Sequence, residues 1–286
     1  MNKPGNPRSG HRSTAVDQAF LVSILSGKGG VGKSVVAFNL AEIMASTGTR
    51  VLLVDADFAA GNIHVLGNLK AEYGIREFAD GRLSLAEAVR PFAPNLDILA
   101  SAVTGPSEVL GTVHGAMQTA RLLRQQAAGY DLVILDHGSG VSDPATVLAS
   151  ASDLNLLLLV PELTSISDCY GLFKYLKKAD PQVNCALLLN RVREEGESEY
   201  VRVKFGAVAE RFLGTAPGFA GDLSESDLIR QSIARQRPVT AIDPEARVVK
   251  DLGAVARKIA DQYLRPRPAG ANPKINIHAA AADTRG

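Results

Sequence analysis

The sequence predicts a single α/β domain: a mostly parallel, twisted sheet with helices on both faces. Three observations predict it. Short, unbroken apolar runs alternate with longer helical stretches, a glycine-rich loop joins the first run to the first helix, and Asp residues close two later runs. Strands buried on both faces read as continuous apolar runs, whereas half-exposed strands alternate. Such runs, separated by segments of helical length, imply parallel strands with crossover helices.

In chain order, residues 1–15 hold Pro4, Gly5, Pro7, Gly10 and several basic side chains without an apolar core. This segment is expected to be disordered and is not a signal peptide. The domain is expected over residues 16–265. Its strands are placed at Phe20–Leu25, Val51–Val54, Leu96–Ala100, Leu132–Leu135, Leu154–Val160 and Cys185–Leu189. Helical stretches fall at Val35–Ser46, Val109–Gln126, Ser165–Lys177, Glu199–Phe212 and Pro244–Leu264. Ser142-Asp143-Pro144 marks a further helix start, and Thr164 or Ser165 is placed as the N-cap of another. Residues 266–286 carry Pro266, Pro268, Pro273 and an alanine-rich stretch, and are expected to be a disordered tail.

Composition narrows the function classes. Of 286 residues, 46% are hydrophobic and 21% charged, an ordinary globular balance. A net charge of +1 provides no global field toward nucleic acid or anionic lipid, so such binding would need a local patch. Cys169 and Cys185 lie in no metal or redox pattern and are expected to pack as small apolar groups in a reducing cytoplasm. The longest apolar run, Leu154–Val160, falls far short of the ~20 residues that span a bilayer.

Ser26-Gly27-Lys28-Gly29-Gly30-Val31-Gly32-Lys33-Ser34 follows a strand and opens a helix, the context a phosphate loop requires. Glycines let the backbone turn tightly and aim N–H groups at phosphate oxygens, and the helix N-terminus adds positive potential. Gly29, Gly30, Val31, Gly32, Lys33, Ser34 and Val35 are therefore the candidate nucleotide cradle. Lys33 is placed on the β- and γ-phosphates and the Ser34 hydroxyl on Mg²⁺. The fold expected is that of a P-loop NTPase. Asp55 and Asp57 end the next strand, at the ligand edge of a parallel sheet. Asp136 ends a later apolar strand and is directed toward Mg²⁺ through a water.

The second lysine, Lys28, makes KGGVGKS a deviant Walker A motif, and here the chain closely resembles the MinD/ParA family of ATPases. The resemblance spans roughly Phe20 to Leu264. It implies ATP and ADP as nucleotides, Mg²⁺, and an ATP-dependent homodimer in which Lys28 reaches the partner's phosphates. It further implies that Lys28, Lys33 and Asp57 are catalytic, with Asp57 orienting the attacking water and Asp55 supporting the magnesium region. Asn62 matches a position facing the dimer partner, and Asn190 one that reads the adenine edge. The segment from Pro217 to Leu223 resembles the strand and loop that close over the base. His137-Gly138-Ser139 departs from the family's pattern after Asp136, leaving the second switch, the hydrolysis rate and any contact of His137 with nucleotide open.

Within the family, Pro161-Glu162-Leu163-Thr164-Ser165-Ile166-Ser167-Asp168-Cys169-Tyr170 is similar to a segment of the FlhG/FleN branch, which regulates the number and placement of flagella. That branch implies a protein partner such as a flagellar GTPase or regulator. Asp17-Gln18-Ala19 matches only part of the branch's GTPase-stimulating segment and is read as chance. Three alternatives stay open: a ParA-like positioner of cargo on a DNA surface, a MinD-like division-site regulator, and a nucleotide-binding interaction protein with little hydrolysis. Lys174, Lys177 and Lys178, with Arg230, Arg235 and Arg237, could bind nonspecific DNA but read as solvated helix faces. The localisation expected is cytoplasmic, or peripheral at the membrane or pole. The apolar stripe Val248, Val249, Leu252, Val255, Ile259, Tyr263 and Leu264 is expected to pack on the domain, and no clear amphipathic membrane helix follows it.

Overall fold

Each expected apolar run forms a strand in a computed structural model that describes residues 18–58, 60–70, 72–101 and 111–264. The segments 1–15 and 266–286, expected to be disordered, lie outside the described residues. The strands are β1 (Phe20–Ser26), β2 (Val51–Ala56), β3 (Arg90–Ala93), β4 (Leu96–Leu99), β5 (Leu132–Ser139), β6 (Leu154–Leu159), β7 (Cys185–Val192) and β8 (Gly218–Ser224). The helices are α1 (Lys33–Ser46), α2 (Ile63–Leu66), α3 (Ile75–Ala79), α4 (Leu85–Ala88), α5 (Val113–Gln126), α6 (Asp143–Ala151), α7 (Leu163–Ala179), α8 (Glu197–Leu213), α9 (Asp227–Arg235) and α10 (Arg247–Tyr263).

One sheet runs in the order β3-β4-β2-β5-β1-β6-β7-β8. It is parallel except for β3, which pairs antiparallel with β4. β3 and β8 lie at the two edges and are missing from the strands read off apolar runs. Both carry the reason in their residues: Pro91 suits an edge strand, and two glycines interrupt β8.

Alternation along the strands sorts the core into layers. On β1, Val22 and Ile24 face α1 and α10, whereas Leu21 and Leu25 face the opposite layer of α3, α5, α7 and α8. Helix α1 is almost wholly buried, from Val36 to Ala45, because it lies over the sheet and under α10. The stripe on α10 packs inward as expected, with Val248, Leu252, Val255 and Ile259 buried and Tyr263 stacked on Phe20 at 5.3 Å. Cys169 and Cys185 are buried and unpaired, and burial raises both thiol pKa values, Cys185 to about 12. Among the described residues, no helix is long and apolar enough to cross a membrane.

Ser142 caps α6 as expected. Thr164 and Ser165 do not cap α7: its N-cap is Glu162, which caps nothing with its side chain. The Ser165 hydroxyl instead accepts from Val160 N at 3.1 Å, and Thr164 is engaged by Lys28.

A buried ion pair fixes β1 to this layer. Arg124 Nη1 lies 2.9 Å from Asp153 Oδ2, with both side chains at most one-tenth exposed. Arg124 also donates to the Ala19 and Ala151 carbonyls, while Asp153 accepts from Leu21 N. Removing one partner strands a buried charge, so Arg124→Ala is expected to cost about 3–5 kcal/mol, read from urea unfolding midpoints.

Candidate functional site

The direction in which strands are added reverses around β1: β2 to β5 lie on one side of it, and the chain then crosses to place β6, β7 and β8 on the other. In an open parallel sheet, this reversal leaves a crevice at the carboxyl ends of the strands. The loop between β1 and α1 occupies it. Gly30 and Gly32 adopt φ of 79° and 97°, the left-handed region where a β-carbon is penalised. Gly32 is also the N-cap of α1 and supplies no side chain, so the first-turn N–H groups face the crevice without a side-chain partner. At Gly27 a β-carbon would lie 2.2 Å from the Asp168 carbonyl oxygen, so α7 backs the loop closely. Asn190 Nδ2 donates to Val31 O at 2.8 Å and braces the loop from the end of β7.

Two carboxylates lie beneath the loop. Asp55 and Asp136 are paired residues on adjacent strands β2 and β5, and both are fully buried. Asp55 accepts from Asp57 N at 3.3 Å and from Ile63 N at 3.2 Å. Neither oxygen of Asp136 makes a hydrogen bond of ordinary geometry, although the Ser34 hydroxyl lies near enough to lower its pKa. Desolvation, reinforced by mutual repulsion, pushes Asp55 up to about 8; desolvation pushes Asp136 to about 7. Lys33 is buried with them. Desolvation lowers its pKa, and the negative charges of Asp136 and Asp57 oppose that shift.

Buried acceptors without donors, beside a serine hydroxyl, fit a divalent cation. Among the described residues no three acidic, His or Cys side chains converge on one point. Mg²⁺ is commonly held by one or two carboxylates plus substrate phosphates, which this donor set matches.

The carboxylate pair sets a pH dependence. Asp55 and Asp136 keep protons in the folded state up to about pH 8 and about pH 7, which the unfolded chain releases near pH ~4. The folded state then binds more protons than the unfolded one, so stability falls as pH rises through this interval. His137, kept neutral by burial with a pKa of about 3, contributes the opposite slope, but only below its ordinary value of 6.5. Between pH 6.5 and 8 the metal-free protein should therefore melt at progressively lower temperature. Mg²⁺ with nucleotide should flatten that slope, because the cation replaces the protons.

Asp57 lies at the rim of the crevice, where its Oδ1 accepts from Ala60 N at 3.0 Å. A β-carbon on Gly138 would stand 3.3 Å from the same oxygen, and one on Gly29 would stand 3.5 Å from Ser139 Oγ. The end of β5 after Asp136 thus runs close to both Asp57 and the glycine-rich loop. His137 points the other way. Alternation on β5 places it on the opposite face, where Nε2 lies 2.7 Å from Ser23 Oγ, itself 2.8 Å from Ser152 Oγ.

Lys28 and Lys33 have separate environments. Lys28 Nζ donates to Thr164 Oγ1 at 3.1 Å and to Glu162 Oε2 at 3.3 Å, at the surface beside Leu163, which is 82% exposed. An exposed pair of this kind contributes under about 1 kcal/mol and is readily broken. Glu162 and Thr164 as partners of Lys28 were not foreseen from the sequence; the adjacency of two loops is invisible there.

Beside the loop, a cavity of about 240 Å³ is lined by Gly32, Val35, Asn190, Ser224, Ile229 and Ile233. It joins Asn190 to the end of β8, the segment expected to close over a base, and adds α9, which sequence reading had not placed there. Asn62, expected to face a partner, is exposed and donates Nδ2 to Ala60 O at 2.7 Å. A larger cavity of about 420 Å³ lies at the opposite ends of β6, β7 and β8 and contains none of these residues.

Residues 22–263 match the family model described as the CobQ/CobB/MinD/ParA nucleotide binding domain. The chain is 29% identical over 254 residues to the antiactivator FleN of Pseudomonas aeruginosa, covering 87% of this chain and 89% of that protein. It is 25% identical over 227 residues to the flagellum site-determining protein YlxH of Helicobacter pylori, covering 78% and 76%. In fold it is similar to the septum site-determining protein MinD of Pyrococcus horikoshii, solved with Mg-ADP, at TM-score 0.71 and 21% identity, over 84% of this chain and 96% of that one. The MinC:MinD complex of Aquifex aeolicus gives TM-score 0.71 at 22% identity, over 87% and 99%.

Proposed function

Because the chain belongs to the CobQ/CobB/MinD/ParA nucleotide-binding family, we propose that it is a Mg²⁺-dependent ATPase switch that pairs on ATP and regulates the number or placement of flagella. The observation that carries this reading is the division of labour between two lysines on one loop. Lys33 is buried and faces the charges of Asp136 and Asp57, whereas Lys28 is held at the rim by Glu162 and Thr164. A second subunit's phosphates are the ligand that such a rim ammonium suits.

In this reading the N–H groups from Gly29 to Val35 cradle the phosphates, and Lys33 contacts the β- and γ-phosphates. Ser34 and Asp136, with Asp55 behind them, hold Mg²⁺. When bound, the cation offsets charge on the phosphate oxygens. Asp57 orients the attacking water, and Lys28 from the partner stabilises charge on the transferring phosphoryl group, as an arginine finger does. Asn190 reads the base while its other N–H braces Val31. His137 lies on the far face of the sheet, which leaves the Gly138–Ser139 end of β5 beside Asp57 and the phosphate loop, where a γ-phosphate would be sensed; this supports turnover over inert binding.

Exposed Leu163, between the two Lys28 partners, and exposed Val141, just after β5, support a pairing face. The flagellar assignment rests on the similarity to FleN and YlxH. Counting flagella by electron microscopy in cells lacking the chain tests it. An altered number or position should be restored by the wild type and not by Lys28→Ala; unchanged flagella would refute the assignment.

A further inference from the structure

Helix α9 ends in an unusual way. Gln236, its C-cap, adopts φ 51° and ψ 46°, a left-handed backbone that a β-carbon disfavours and that glycine adopts at many helix ends. The turn is otherwise fully bonded: Arg237 N donates to Ser232 O, and the Ser232 hydroxyl donates to Arg237 O. Glycine would serve the backbone better, so the side chain needs its own account. Gln236 Nε2 donates to Val65 O at 2.8 Å, across 171 positions of sequence.

Its two ends matter. On one side α9 presents Ile229, Arg230 and Ile233 to the base cavity. On the other, Val65 belongs to α2, a helix of four residues that begins six positions after Asp57. A helix this short does not hold itself. It is held from beneath by the buried Ile63 side chain and by Ile63 N on Asp55 Oδ2, and Gln236 adds an attachment from outside. The region following Gln236 is fixed independently to α1, through Val239 N on Asn39 Oδ1 and the Thr240 hydroxyl on Glu42 Oε2. Gln236 therefore extends from a firmly anchored base-side element to the short helix behind the loop that carries Asp57.

We infer that Gln236 is a positioning residue for hydrolysis, tying the base-pocket helix α9 to α2 and so fixing the loop that presents Asp57. This rests on the reading that the protein hydrolyses ATP through Asp57. The test exploits the backbone: Gln236→Gly removes the amide while relieving the left-handed strain, so the fold should melt at the same temperature or higher. Gln236→Glu keeps the length but removes the N–H donor. In both variants kcat should fall about tenfold, as small misplacements of reacting groups do, while KM for ATP stays within about twofold.

Hydrogen exchange over residues 60–70 provides the second readout. Mg²⁺-ATP should slow exchange there more than Mg²⁺-ADP in the wild type, and this difference should vanish in Gln236→Gly. Wild-type kcat in both variants, or the same exchange difference with and without the amide, overturns the inference. A fall in melting temperature of Gln236→Gly also overturns it, because the contact would then be a structural tie. A wild type that binds ATP without turnover refutes the ATPase reading instead, and the exchange comparison alone then decides the coupling.

Discussion

Lys28→Ala is expected to abolish ATP-dependent pairing and to lower hydrolysis by about a thousandfold or more, while ATP affinity stays within about threefold. The size follows from the role: a cation supplied in trans to the phosphoryl-transfer transition state contributes about 10³–10⁵ in rate. Retained affinity follows from position. Lys28 Nζ is bound to Glu162 and Thr164 at the rim, so its removal leaves the main-chain cradle, Lys33 and Ser34 intact. Phosphate release, fluorescent-nucleotide binding and sedimentation on one preparation separate the effects. Loss of binding together with loss of turnover would place Lys28 in its own subunit's site.

Asp57→Ala is expected to lower hydrolysis by about 10²–10⁴, the range for a group that positions or activates a nucleophile. Its effect on assembly has the opposite sign to that of Lys28→Ala. The triphosphate persists, so the paired state should accumulate and outlast that of the wild type. Asp57 accepts from Ala60 N within its own loop and lies against Gly138 at the rim of the crevice. The contrast between the two variants separates a switch from a static nucleotide-binding protein: equal background turnover in wild type and Asp57→Ala would favour the latter.

Much of this site is legible in the sequence because its chemistry is local. Strand, glycines, Lys33-Ser34 and helix are contiguous, so the phosphate loop is written in one stretch. Asp55 and Asp136 close apolar runs, and parallel pairing then sets them side by side. What was not legible depends on alternation and on distant contacts. β5 continues through His137 to Ser139, because polar residues at a strand's end carry no apolar signal, and that continuation turns His137 away from the nucleotide side. Thr164 and Ser165 resembled capping residues, yet one receives Lys28 and the other Val160 N, both decided by chain neighbours in space. The edge strands β3 and β8 give no apolar run for a related reason, since an edge tolerates proline and glycine, which interrupt the pattern that marks a central strand; β8 was marked only by the family resemblance of Pro217 to Leu223. Gln236 left no sequence signal at all, since its importance lies in a backbone angle and a partner far along the chain.

The most direct measurement is the mass in solution of Asp57→Ala by sedimentation velocity, with saturating Mg²⁺-ATP and with saturating Mg²⁺-ADP. Twice the 30.2 kDa chain mass is expected with ATP, a single chain with ADP, and a single chain with either nucleotide once Lys28→Ala is added. One chain mass in Mg²⁺-ATP, with nucleotide shown to be bound, would contradict ATP-dependent pairing.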